Sequence, residues 1–182
     1  MNKNLGLLIL SQIFAFTAAP VTDFLSGIIG SQFSPIKSLA TLPMTLSIVG
    51  VAIFAFFAAK IMSIIGRRAG FIFSSIGSSL SSLLAAYSII SESFILFNFA
   101  CFLLGAGVAF SHQYRFAAVE TVKEDMAPKA ISIILLAGIG SAFIGPNAAN
   151  FSKEIIAEHL YAGVIHCACC FNAYINNFFV IL

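Results

Sequence analysis

The chain has 182 residues, 60% of them apolar and only 9% charged, with a formal net charge of +2. An ordinary water-soluble domain carries about 25% charged residues, so a surface this poor in charge is not built for water. The small net charge excludes the basic footprint of a nucleic-acid binder and gives no reason to expect an acidic partner.

Six stretches contain no Asp, Glu, Lys or Arg: 4–22, 38–59, 69–91, 93–114, 130–152 and 159–182. Each is close to the length that crosses a lipid core, about 20 helical residues for about 30 Å. The expected fold is therefore all-α, a polytopic membrane protein of six transmembrane helices. The expected spans are about 5–29, 38–59, 69–90, 93–115, 130–150 and 160–182. Twenty Phe fit lipid-facing helices, but with no Trp and four Tyr the interfacial aromatic belt is thin.

The first run follows the short basic start MNKN, as in a signal peptide. Its length, the five runs behind it and the lack of a clear small-residue cleavage site make it a retained span. Gln12 is a polar side chain within it. Asp23 is a carboxylate with apolar sequence on both sides. If the helix continues to Ile29, Asp23 lies near its outer end and can carry a proton. If the helix stops earlier, Asp23 is an ordinary interfacial charge. Residues 30–37 (GSQFSPIK) read as an outer loop, with Pro35 biasing Ser34 away from helix.

The second span leads into a charged inner connection, 60–68, that contains Gly66, Arg67 and Arg68. Gly66 permits a tight turn there. The two guanidinium groups have two compatible roles: to anchor the inside orientation, or to pair with Glu120 or Glu124 of the next inner loop and latch the inner mouth. In the third span Ser74, Ser78 and Ser82 recur every four residues beside Gly77, Ser81 and Ala85, a stripe that lets two backbones approach closely in lipid. Ser91 and Glu92 form a tight outer turn.

The fourth span carries Gly105, Gly107 and Ala109 for close packing, then the polar cluster Ser111, His112, Gln113, Tyr114 and Arg115. His112 and Arg115 share one side of the helix, and Arg115 can snorkel to the inner interface. Residues 115–129 are the second charged inner loop. The fifth span holds Gly138, Ser141 and Gly145, then Pro146, which should bend the helix, and Asn147. The segment 151–158 reads as a short surface helix. Gln12, Asp23, His112, Gln113, Arg115 and Asn147 are the candidates for a transport path, since polar groups are costly in lipid. Interhelical hydrogen bonding is the plainer use of each.

Cys101 lies in the fourth span, and Cys167, Cys169 and Cys170 follow His166 in the sixth. Their crowding does not describe a disulfide framework, and C-x-C-C is not a zinc spacing. No metal and no cofactor are expected. No nucleophile–base pair or phosphate loop gives enzymatic chemistry a foothold.

With the N-terminus inside, Lys3, Lys60, Arg67, Arg68, Arg115, Lys123 and Lys129 fall on the cytoplasmic side and only Lys37 and Lys153 on the other. The positive-inside rule then places both termini in the cytoplasm.

Residues 58–71, AAKIMSIIGRRAGF, resemble the major facilitator superfamily loop signature G-x-x-x-D-R-x-G-R-R. Gly66, Arg67 and Arg68 match its second half, while Ala59, Ser63 and Ile64 depart from its first. CFLLGAG (101–107) resembles the R-x-x-x-G-x-G segment of that family's fourth span, with Cys101 where Arg is expected. Residues 130–150 resemble the fifth-span antiporter signature ending in G-P-x-x-G-G, matched at Gly145 and Pro146. QYRFAAVE (113–120) and the KAIS that follows also look like bacterial members. The resemblance covers roughly 5–165 and fades after Ile165.

The resemblance implies one six-helix half of a twelve-span fold built of 3+3 inverted repeats, in a bacterial inner membrane. It also implies alternating access for a small solute, proton-coupled efflux, and a second six-helix half as partner. Two other readings stand beside this one. The Cys- and Asn-rich end would follow from a changed reading frame, which makes the chain a truncated, inactive remnant. Alternatively it is a non-transporting membrane partner subunit. No polar constellation specifies the solute.

Overall fold

The structure, a computed structural model, describes residues 3–34 and 36–152. Its elements are α1 (Lys3–Phe33), α2 (Leu42–Ile65), α3 (Arg67–Ile90), α4 (Phe94–Ser111), α5 (Tyr114–Glu120) and α6 (Ala127–Ser152). Single 3₁₀ turns occupy Lys37–Leu39 and Glu124–Met126, and no strand occurs among the described residues. In a bilayer core no water serves backbone N–H and C=O groups, so helices that close their own hydrogen bonds are the available solution. Three helical stretches, Lys37–Ile65, Arg67–Ile90 and Phe94–Glu120, are long and apolar enough to cross a membrane. The expected sixth span, with His166 and the three clustered cysteines, lies outside the described residues.

Several element ends differ from the sequence expectation. Helix α1 continues through Phe33, past the predicted start of the outer loop, and the returning chain presses on it at Gly30. A Cβ at Gly30 would strike the Ala40 carbonyl oxygen. The charged connection 60–68 contracts to one residue: α2 ends at Ile65 and α3 begins at Arg67. Gly66 between them has φ 84°, a left-handed value that costs glycine little and other residues about 1–2 kcal/mol. The predicted inner loop 115–129 is also largely helical. After a tightened turn at His112 and Gln113 the chain resumes as α5, whose Tyr114, Ala117 and Ala118 are buried.

Helix α4 is the hub, packed mainly on α2, then on α3 and on α1, while α1 packs chiefly on α6. Small residues make the closest crossings. Gly50 of α2 faces Gly105 of α4 so tightly that a Cβ on either would meet the other helix's backbone. Gly107 of α4 lies against Ser78 of α3. Helix association in lipid draws on van der Waals contact rather than apolar burial, and close backbone approach maximises it. Two serines of α3 satisfy themselves inside their own helix, Ser81 Oγ donating to the Gly77 carbonyl at 2.8 Å and Ser82 Oγ to the Ser78 carbonyl at 2.9 Å.

Two apolar clusters close the bundle. One, at the Gly66 end, includes Leu5, Leu8, Met62, Phe71, Phe110, Tyr114 and Ile134. The other, at the Glu92 end, includes Ile29, Ala85, Ile89, Phe97, Cys101 and Leu104. Phe56, Phe73, Leu80, Ile95, Leu136 and Phe143 are exposed on the outside. In water so many large apolar groups would make patches prone to association; facing lipid tails they cost nothing.

The turn at Ser91 and Glu92 is as short as its sequence suggests. Glu92 has φ 50°, and Ser93 caps α4, its hydroxyl accepting from the Leu96 N–H at 3.4 Å. Replacing Glu92 by Gly removes the left-handed strain, with an expected gain of about 1 kcal/mol. Thermal unfolding in detergent checks it; a lower midpoint in the variant would refute the strain assignment.

Candidate functional site

The Gly66 end brings together residues far apart in the chain. Gly66 reverses direction so sharply that Arg67 starts α3 with its guanidinium projected toward α5. Arg67 Nη2 lies 2.7 Å from Glu120 Oε1, and Nε lies 3.2 Å from both carboxylate oxygens. Its Nη1 donates to Gln113 Oε1 at 3.2 Å. Gln113, read in sequence as a pathway residue, is therefore drawn into the arginine cluster. Beneath it, Phe71 of α3 and Tyr114 of α5 stack with centroids 4.4 Å apart and planes within 9°. The stack joins α5, which packs chiefly on α6, to the start of α3 near the Arg67–Glu120 pair. Arg68 and Glu124 are exposed, and it is Glu120 rather than Glu124 that pairs with Arg67.

The pair is partly open to solvent, with side chains 32% and 57% exposed. An ion pair in that setting contributes at most about 1 kcal/mol to stability. Its forked, multidentate geometry adds orientation more than energy. Such a contact suits a junction that closes in one arrangement and opens in another.

A second group lies between α1, α4 and α6. Gln12 is buried, its Oε1 has no hydrogen-bond partner among the described residues, and it faces Gly138 of α6. One turn on, Phe16 meets His112 edge-on, centroids 5.3 Å apart. Arg115 folds back on the same histidine, Nε donating to the His112 carbonyl at 3.1 Å and Nη2 lying 3.2 Å from Nδ1. Gln12, His112 and Arg115 thus lie along one helix interface. Asn147 stands apart, exposed and bonded to the Phe143 carbonyl of its own helix at 2.8 Å.

Helix α1 runs through Asp23, and α6 is helical through Gly145 and Pro146. The side chains of Asp23 and Pro146 lie outside the described residues. Asn98 of α4 was missed in the sequence reading. It is buried, its Nδ2 donates to the Phe94 carbonyl at 2.7 Å and its Oδ1 is unpaired among the described residues. The signal was a single amide within the run FILFNFACFLL.

Leaving a buried acceptor unpaired costs about 1–3 kcal/mol. Gln12→Leu is accordingly expected to keep or raise the unfolding midpoint in detergent while abolishing any solute affinity that the amide provides. A drop of several degrees would instead show that Gln12 is a structural bond-former.

No protein-family model matches the chain. It is 28% identical over 162 residues to the riboflavin transporter RfnT of Brucella anthropi, a match covering 89% of this chain and 41% of that protein. It is 26% identical over 153 residues to the uncharacterized MFS-type transporter YddS of Bacillus subtilis, covering 84% of this chain and 35% of that protein. The chain is homologous to major facilitator superfamily transporters. It matches the amino-terminal part of each relative and spans less than half of either. The residues that resemble the superfamily's loop signature lie at the Gly66 turn, where Arg67 meets Glu120, and those that resemble its fourth-span segment lie at the α2–α4 crossing at Gly105.

Proposed function

We propose that the chain forms the amino-terminal six-helix half of a secondary transporter. It moves a small solute across a bacterial inner membrane by alternating access, in outward, proton-coupled exchange. The observation that carries this reading is the match to transporters along most of the chain, combined with helices apolar enough to cross a membrane. A second six-helix half completes the solute path, since substrates of such folds bind between repeats near the midplane.

In this reading Gln12, His112 and Arg115 line the path from the amino-terminal side, and Asp23, within helix α1, carries the proton. Arg67 with Glu120 latches the cytoplasmic mouth, both termini being cytoplasmic. The relative's name makes riboflavin the first solute to test. The chain, co-reconstituted with a partner half into proteoliposomes, is expected to drive riboflavin flux that collapses with a protonophore and in Asp23→Asn. Flux no greater than in empty vesicles, across a panel of small solutes, would defeat the proposal.

A further inference from the structure

At the Gly66 end a cavity of about 370 Å³ opens between the start of α1, the α5–α6 connection and the first turns of α6. Its walls include Leu5, Val122, Met126 and Ile133, and Lys123 and Lys129 line it as well. We propose that this cavity binds an anionic phospholipid, one acyl chain among the apolar walls and the phosphate between the two lysines.

The chemistry of the lining carries the assignment. Neither ammonium group forms an ion pair among the described residues, where Arg67–Glu120 is the pair observed. Both lysines are exposed, Lys123 in the short connection that leads into α6 and Lys129 in the first turn of α6, while the space they border is apolar. Glu124 and Asp125, on the intervening 3₁₀ turn, are exposed and do not line the cavity. A free anion gains nothing from the apolar walls, and a zwitterionic lipid leaves the two positive charges uncompensated. An occupant with an apolar tail and a net negative head uses both. Basic pockets between helices at a membrane surface bind anionic headgroups for this reason.

The inference rests on the chain being embedded in a membrane but not on solute flux, so the two fail separately. The full chain in a neutral detergent is titrated with phosphatidylglycerol or phosphatidylcholine, and adducts are counted by native mass spectrometry. Phosphatidylglycerol is expected to bind at least tenfold more tightly. Lys123→Gln and Lys129→Gln should each weaken it roughly fivefold, the effect of about 1 kcal/mol per basic residue. Ala130→Phe, which fills the cavity and leaves both charges, should abolish the adduct, whereas Lys60→Gln should leave it intact. Glycerol phosphate, a headgroup without a tail, should not compete.

Circular dichroism confirms that each variant keeps wild-type helicity. Equal binding of the two lipids, or full binding by the double lysine variant, overturns the proposal. So does a second copy of the chain, rather than lipid, appearing as the species lost in these variants.

Discussion

Gly105→Leu is expected to lower the stability of the helix bundle by about 3 kcal/mol or more, the upper range for forcing extra volume into a packed core. The reason is geometric. A Cβ at Gly105 would meet the Ser47 carbonyl oxygen and the backbone of Gly50 and Val51, none of which can swing aside as a side chain does. Helices α2 and α4 would have to separate, and α4 is the element on which α1, α2 and α3 all pack. Separation in lipid forfeits dispersion contacts that no apolar burial replaces. Gly105→Ala should give an intermediate loss. Gly140→Leu is the control, since among the described residues a Cβ there has nothing within 4 Å, and it should melt like the parent chain. Thermal unfolding of the detergent-solubilised protein, followed by size-exclusion retention, measures all three. A Gly105→Leu protein as stable as the control would show that α2 and α4 do not cross here.

Reversing one charge of the Arg67–Glu120 pair is expected to act on conformation more than on stability. Both side chains are partly exposed, so solvent limits their contribution to about 1 kcal/mol or less. The same quantity applied to two conformers shifts their ratio by about fivefold. Arg67→Glu should therefore move the unfolding midpoint little. Maleimide labelling of cysteines placed at the Gly66 end should accelerate about fivefold as that end spends more time open. Glu120→Arg should do the same, and the exchanged double variant should restore slow labelling, because the fork is rebuilt with its ends swapped. Unchanged labelling in both single variants would remove the latch from the mechanism.

Sequence and structure agree most where lipid is the cause. Charge-free runs announce helices, because a bilayer admits little else; the runs expected at 38–59, 69–90 and 93–115 overlap helices at 42–65, 67–90 and 94–111, whose ends were set by turns the runs do not encode. The pairing of Arg67 with a carboxylate near residue 120 was also within reach, since unlike charges on neighbouring connections attract. The choice of Glu120 over Glu124 was not. It depends on where α5, packed on α6 and with Tyr114 stacked on Phe71, holds Glu120 relative to Arg67. The contact of Gln113 with Arg67 was out of reach as well, since it depends on the turn that precedes α5.

Glycine shows the divide most clearly. Gly105 and Gly107 drew attention as a small-residue pair, yet their partners, Gly50 and Ser78, are named only by the way α4 crosses α2 and α3. Gly50 alone in the run LSIVGVAIF carries no periodic signal. By itself, then, the order of residues determined the solvent, the helical class and the kinship with a transporter family, because those follow from local polarity and short motifs. Which small residues touch, which carboxylate meets the arginine and which amide is buried without a partner were decided by tertiary packing. Contacts between distant segments depend on helix rotation and crossing, and neither is written in any single stretch of sequence.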